Sequence, residues 1–428
     1  MEKQQQHVEL ESGNSKIIDD CCKNPEQDKE NNKATLFQAS VNSIVLLIGL
    51  GTLSSAYAIE RSGFFGLFVL LITASFYWCG SKLISKCLVH DPSLANYQDV
   101  ATKAFPSWAP ILVRTLFYLR ILGTLTGYLV SMGDTLTHIF PSSRINVLGV
   151  IRGKALFTCM AFLLVLPTTW FRNLRTISYL TFWCGMSILA TIVCLVVAGA
   201  DYGIGFDQPV AVVNVKNLPL ATGVYTFTFG STPVLPNIQR SMENQGDFPK
   251  VMVISFATAI TLNVIVGILG AIMFGSQTRP QVHLNMPPHL LPSKIAIWAT
   301  FLTPVTQFAL LLSPIAHELE QLLLPNLSDS RHSPKLGYLA CVFLRSMILS
   351  GIALAAVLFP YFVNIIQLIG SSLNVTLCII MPCLFYVKIF GDKVSRMEKA
   401  GLCAMVVLSA IAGITGATVS IKNLIHKQ

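Results

Sequence analysis

Two short stretches place residues able to bind a ligand through main chain inside segments greasy enough for a bilayer. GLGTLSS (49–55) lies in the middle of the apolar run 44–60, and GSTP (230–233) lies in the middle of 224–242. Glycine lets the chain leave the helix at low steric cost. Ser or Thr followed by Pro is a preferred helix start, a side-chain cap and then a residue with no amide hydrogen to leave unpaired. One helix is therefore expected to end near Phe229 and another to begin at Pro233. Unwound backbone exposes amides that suit a carboxylate and carbonyls that suit a cation or ammonium group. The competing reading is that glycine and serine only let helices approach closely.

The elements that must carry these stretches are membrane spans. Of 428 residues 53 % are hydrophobic and 12 % charged, against roughly 25 % charged in soluble domains, and the mean hydropathy is +0.62. Apolar runs of 18 or more residues recur along the chain, long enough to cross a ~30 Å hydrocarbon core as helices. Eleven spans are predicted, at 36–59, 64–88, 108–139, 154–171, 174–199, 218–242, 250–275, 294–323, 336–359, 362–389 and 398–421. Proline marks several gaps (Pro106, Pro141, Pro280, Pro287-Pro288), and Phe359-Pro360-Tyr361 separates spans 9 and 10. LANYQDVATKAFPSW (94–108) reads as a short helix at the membrane interface. Residues 1–35 hold eight acidic and five basic residues and few large apolar ones, so a disordered cytosolic tail without a signal peptide is expected.

Charge sets orientation and excludes other classes. With the N-terminus cytosolic, 18 Lys and Arg fall on that side, nine on the other, and three within helices. The +9 net charge is spread between spans rather than clustered, which excludes a nucleic-acid surface. Cys79, Cys159, Cys184, Cys194, Cys341, Cys378 and Cys403 fall inside spans and no paired C-x-x-C framework occurs, so neither a metal site nor a disulfide scaffold is indicated. Signatures of zinc hydrolysis, serine acyl transfer and P-loop ATP use are missing, which argues against an enzyme or a primary pump and for no cofactor.

The two interruptions fall five helices apart, in spans that cross in opposite directions. That is the pattern of inverted five-helix repeats with a site at mid-membrane. The fold class is therefore an all-α polytopic membrane protein of about eleven transmembrane helices, a five-plus-five inverted repeat with spans 1 and 6 broken. Repeat one covers 36–200, repeat two 218–389, and 398–421 is an extra helix. Two other spans carry polar stripes at helical spacing: Thr303, Thr306, Gln307 and Ser313 in span 8, and Asn364, Gln367, Ser371 and Asn374 in span 10. Such a stripe lines a pathway or a tight seam. Arg120 falls deep in span 3 and must face the bundle or water. Arg114 and Arg345 are expected to snorkel to the cytosolic face, and Asp134 and His138 lie near the far end of span 3.

With the broken helices in view, the chain resembles the amino acid/auxin permease family, most closely its plant and fungal vacuolar members. The resemblance rests on GLGTLSSAYAIERSGFFG (49–66), YQDVATKAF (97–105), GDTL (133–136), LPNIQRSMENQGDFPKV (235–251), TPVTQFAL (303–310) and LIGSSLNVTLCIIMPCLFYVKI (368–389), and spans 34–422. It implies a LeuT/APC-like fold and secondary active transport of amino acids, commonly proton-coupled across the vacuolar membrane. Substrate-binding roles carry over to Gly49, Gly51, Thr52 and Ser54 in span 1, Gly230, Ser231 and Thr232 in span 6, and Thr303 and Gln307 in span 8. The amides near Thr52 to Ser54 are expected to face a carboxylate. Relatives often read Ser-Thr-Pro-Tyr where this chain has Ser54-Ser55-Ala56-Tyr57, glutamates where Arg120 and Gly127 stand, and lysine where Gln307 stands. Proton coupling then rests on Asp134, with Glu318 second, since the Arg120 guanidinium stays charged. A transporter of an auxin-like acid or polyamine, and a non-transporting amino acid sensor, remain as alternatives.

Overall fold

Thr35 starts the first span with a capping box: its hydroxyl accepts from the Gln38 amide at 3.3 Å while its own amide donates to Gln38 Oε1 at 3.1 Å. The computed structural model describes residues 33–140, 153–170, 174–201, 205–287, 289–323 and 334–426. The predicted tail and several connections used for orientation lie outside the described residues.

Span 1 is three pieces, α1 (Leu36–Leu47), α2 (Leu50–Leu53) and α3 (Ser55–Ser62). Span 2 is α4 (Phe65–His90). The interfacial segment forms α5 (Tyr97–Ala104), opened by an Asn96/Asp99 capping box, and the Tyr97 hydroxyl donates to Leu377 O at 2.6 Å. Spans 3, 4 and 5 are α6 (Ala109–Ile139), α7 (Gly153–Thr169) and α8 (Leu174–Asp201). Span 6 is broken into α9 (Leu218–Thr228) and α10 (Leu235–Ser241). Spans 7, 8 and 9 are α11 (Phe248–Phe274), α12 (Leu291–Leu323) and α13 (Pro334–Leu358). Span 10 runs from α14 (Phe362–Leu368) through wide π turns at Ile369–Asn374 and Thr376–Ile380 into α15 (Met381–Phe390), and α16 (Arg396–Ile425) is the last span. Among the described residues, seven helices are long and apolar enough to cross a membrane, with shorter apolar helices beside them and no strand. The predicted division at Phe359-Pro360-Tyr361 is observed between α13 and α14. This is an all-α architecture with spans 1 and 6 broken.

Small residues set the packing around span 1. A Cβ on Gly267 of α11 would fall 2.5 Å from Ile59 Cδ1, and one on Gly270 2.5 Å from Ala56 Cβ, so α3 lies in a groove that only glycine leaves open. Asn263 fixes the pair: its Oδ1 accepts from Ser55 Oγ at 2.6 Å, and its amide donates to Ala259 O at 2.7 Å. At the end of α3, Gly63 takes φ +78°, a conformation that L side chains rarely adopt, and an added Cβ would meet Ala211 O at 2.6 Å. Around it, Phe64 and Phe65 amides donate to Ala211 O and Val212 O at 3.0 Å each, laying the connection before span 6 along the end of span 1.

One charge placement differs from the sequence reading. Arg345 does not snorkel: its Nε donates to Glu320 Oε1 at 2.7 Å and its Nη1 to Thr169 O at 3.0 Å, with side chains 6 % and 5 % exposed. It ties spans 4, 8 and 9 together. Arg114 is likewise paired, with Glu318 at 3.1 Å. A second feature without a sequence signal is the connection between spans 7 and 8, whose Gln281 and His283 are fully buried against span 3. Gln281 Oε1 accepts from Ser131 Oγ at 2.7 Å and His283 Nε2 lies 3.4 Å from Thr135 Oγ1. Burial, aided by nearby His138, pushes the His283 pKa from 6.5 down to about 3.

Two outcomes are expected in thermal unfolding of the detergent-purified protein. Arg345→Met strands the buried Glu320 carboxylate and costs about 3–5 kcal/mol, whereas Arg345→Met with Glu320→Leu recovers most of the loss; equal losses in both would mean that the pair is not coupled. A histidine with a depressed native pKa stabilises the fold fully above about pH 6.5 and loses that contribution as pH falls toward 3, because the unfolded chain takes up the proton first. The melting temperature should therefore fall between pH 7 and pH 4, by less in His283→Asn.

Candidate functional site

Span 1 leaves the helix at Ile48 and Gly49, not at the centre of the GLGTLSS stretch. Gly49 caps α2 with φ −112° and ψ −157°, and no side chain caps the helix in its place. The first amides of α2, at Leu50 and Gly51, lack an acceptor within their own helix. The sequence reading had put open amides at Thr52 to Ser54. Instead Thr52 N donates to Gly49 O and Ser54 N to Gly51 O, both at 3.0 Å. The physical reason is the missing proline: with Ala56 where a proline would force a restart, α2 passes into α3 with only a hitch at Ser54, whose hydroxyl bonds back to Leu50 O at 3.4 Å.

Span 6 unwinds over residues 229–234 in consecutive tight turns, Ser231 N to Phe229 O at 2.8 Å and Val234 N to Ser231 O at 2.9 Å. The restart comes at Leu235 rather than Pro233, with Pro236 in its first turn and no hydroxyl cap. The hydroxyl expected to cap is used elsewhere: Thr232 Oγ1 pairs with Ser81 Oγ of span 2 at 3.0 Å. Ser231 Oγ and Thr52 Oγ1 are buried without a partner in the protein.

The two breaks meet. A Cβ on Gly51 would lie 2.3 Å from Thr228 Oγ1 and 3.0 Å from Thr228 Cα, so α2 rests directly on the last turn of α9. A Cβ on Gly230 would lie 2.1 Å from the Asn374 amide nitrogen, which itself donates to Thr226 O at 3.1 Å. Gly51 and Gly230 are thus close-packing glycines, the reading that had competed with unwinding. Gly49 is different, with nothing within 4 Å of an added Cβ.

The span 10 stripe is a seam more than a pathway. Gln367 Nε2 donates to Gly416 O at 3.1 Å, Ser420 Oγ to Asn364 O at 2.7 Å, and Gly413 abuts Ser371 O. Asn374 hydrogen-bonds to span 6, and Gln367 packs on Gly223 of the same span. In span 8, Thr303 Oγ1 bonds back to Ala299 O at 3.2 Å, and Gln307 Oε1 accepts from Tyr128 of span 3. Arg120 lies within electrostatic reach of Tyr77, Tyr128 and Cys378. Asp134 pairs with Lys154 at 2.6 Å, and Lys154 also donates to Pro360 O at 2.6 Å. Glu318 is held by Arg114. Ser81, Cys378 and Lys154 were not singled out in the sequence, because a lone serine, cysteine or lysine at a span carries no spacing signal.

Both ends of the site are covered. On the N-terminal side, Ala34 N donates to Ser241 O at 2.7 Å and Glu243 N to Ala34 O at 3.1 Å, joining the entry of span 1 to the exit of span 6. On the other side sits the buried segment holding Gln281 and His283. Substitutions should separate the glycines. Gly51→Ala and Gly230→Ala must push spans apart and lower the melting temperature by several degrees, while Gly49→Ala leaves it unchanged; a destabilised Gly49→Ala would contradict the open space beside it.

The chain is similar to solved and sequenced transporters over nearly its whole length. It aligns with the crystal structure of MhsT in complex with L-phenylalanine at TM-score 0.55 and 13 % identity, covering 89 % of this chain and 97 % of that one. With a substrate-bound outward-open Na+-coupled sialic acid symporter the TM-score is 0.51 at 12 % identity, covering 91 % and 90 %. Amino acid transporter AVT1E of Arabidopsis thaliana is 33 % identical over 402 residues, 94 % of this chain and 75 % of the relative. Amino acid transporter AVT1I of Arabidopsis thaliana is 33 % identical over 405 residues, 94 % and 98 %. The family profile described as transmembrane amino acid transporter protein matches residues 32–425, and the chain belongs to that family.

Proposed function

We propose that this protein is a secondary active transporter that moves amino acids across the vacuolar membrane, proton-coupled, with its N-terminus in the cytosol. The observation that carries the reading is the contact between two broken spans, Gly51 of span 1 on Thr228 of span 6, in a chain of this family. The substrate carboxylate meets the first amides of α2, next to the open space at Gly49, where main-chain donors favour an anion. The unpartnered hydroxyls of Thr52 and Ser231 supply further hydrogen bonds. Residues 36–200 and 218–389 act as the two repeats and 398–421 as an added helix. Transport follows as the two covers, Ala34 on Ser241 and Glu243 at one end and the Gln281–His283 segment at the other, open in turn.

Asp134 is the coupling carboxylate in this reading. Protonation would release Lys154, which bridges span 3 to the Pro360 carbonyl between spans 9 and 10. A second reading, exchange without proton coupling, draws on Arg120, a fixed charge in the place of a bound cation.

Uptake of a labelled amino acid panel into proteoliposomes, with and without an imposed pH gradient, a protonophore and Na+, tests both. The expected result is uptake that collapses with the protonophore, needs no Na+, and loses its gradient dependence in Asp134→Asn. Gly49→Ala should reduce uptake at least tenfold with normal abundance. Uptake indifferent to the protonophore would select the exchanger.

A further inference from the structure

Arg120 stands out from the ion-paired residues of the spans. Asp134 has Lys154 at 2.6 Å, Arg114 has Glu318 at 3.1 Å, and Arg345 has Glu320 at 2.7 Å. Each of these pairs is neutral. Among the described residues, Arg120 is the arginine deep in a span with no carboxylate within ion-pair distance. Its side chain is half-buried.

The face of α6 that bears it looks into the bundle. Gly123 and Gly127, three and seven residues on, sit against Ile369 and against Ile365 and Ile366 of span 10. The groups around the guanidinium lead to the break in span 6. Tyr77 is fully buried with its ring 6.4 Å from that of Phe229, the first unwound residue, and Cys378 is hydrogen-bonded to Thr232. Tyr128, the third neighbour, donates to Gln307. None of these groups carries a negative charge at neutral pH, so the protein supplies dipoles but no counter-charge.

We infer that the substrates are acidic amino acids, whose side-chain carboxylate pairs with Arg120 while the α-carboxylate and ammonium groups engage the breaks of spans 1 and 6. This rests on the transport reading above and adds the substrate class. A guanidinium in a low-dielectric bundle is costly without an anion, and its planar fork of donors fits a carboxylate in bidentate fashion. A neutral amino acid is a zwitterion and leaves the site with one uncompensated positive charge. An acidic amino acid carries one net negative charge and makes the loaded site neutral, the state suited to crossing between the two closed ends. An amine lacking a carboxylate adds like charge and is excluded.

The test is competition and binding with the full-length wild-type protein in proteoliposomes of neutral phospholipid. L-aspartate and L-glutamate should inhibit uptake of a labelled amino acid at concentrations at least tenfold below those of L-asparagine and L-glutamine, and should raise the melting temperature where the amides do not. Arg120→Lys should keep the preference, and Arg120→Gln should lose it, with the acids weakened at least tenfold relative to the amides. Equal inhibition by acid and amide, or preference for the amide, overturns the acidic class and leaves amino acid transport standing. Wild-type protein that neither takes up nor is stabilised by any amino acid overturns the transport reading itself. Should Arg120→Gln fail to fold, the wild-type comparison decides alone.

Discussion

Main chain that leaves the helix inside a bilayer must find its hydrogen bonds within the protein, and the rest of this bundle is arranged around that requirement. Span 6 gives up regular pairing over residues 229–234, and its own turns and two neighbours compensate. Tight turns return Ser231 N to Phe229 O, Asn374 donates to Thr226 O in the turn before, and Ser81 takes the Thr232 hydroxyl. For Asn374 to reach that far, span 10 must come very close, and it does so where Gly370 rests on Gly223 O. The π turns at Ile369–Asn374 widen span 10 at this point, a departure often found where a helix serves a site. Substituting any one of these residues would leave a buried donor or acceptor unpaired.

The charged residues within the spans follow a related economy. An ion pair in the low-dielectric interior adds little net stability over a well-packed apolar pair, yet removing one partner is severe. Arg345 with Glu320 and the Thr169 carbonyl therefore acts as a clamp that fixes the relative positions of spans 4, 8 and 9. Lys154 does the same for spans 3 and 4 and the turn at Pro360, though its partner Asp134 is more accessible and its release is correspondingly less costly.

Much of the fold was legible because span limits depend on local properties, apolar length and punctuation by proline and glycine. The break in span 6 was legible for the same reason, since a glycine, two hydroxyls and two prolines within seven residues compete with helix wherever they occur. In span 1 the local signal was ambiguous. The glycine that matters for unwinding is Gly49, while Gly51, two residues later, serves packing on Thr228, and only tertiary contact distinguishes them. Arg345 was expected to snorkel because its partner Glu320 is 25 residues away, and no local pattern signals that the two pair. The span 10 stripe had two readings of similar weight until Gly413 and Gly416 of the last span appeared beside it.

Span 7 explains how a helix broken at Ile48–Gly49 keeps its two parts aligned. α11 is continuous over 27 residues and packs against both α1 and α3. On the α3 side the joint is close and specific, with Gly267 and Gly270 admitting Ile59 and Ala56 and Asn263 bonding Ser55. On the α1 side the direct bond is Ser255 Oγ to Ser40 O at 3.4 Å, a longer and weaker link. α1 is held in addition by the Ala34 pairing to Ser241 and Glu243, which sits at the very end of the span. α1 is nonetheless packed along its length as well: span 7 lies against it as it does against α3, and a Cβ on Gly185 of span 5 would meet Val45 Cγ2 at 2.6 Å, the same close approach that Gly267 gives Ile59.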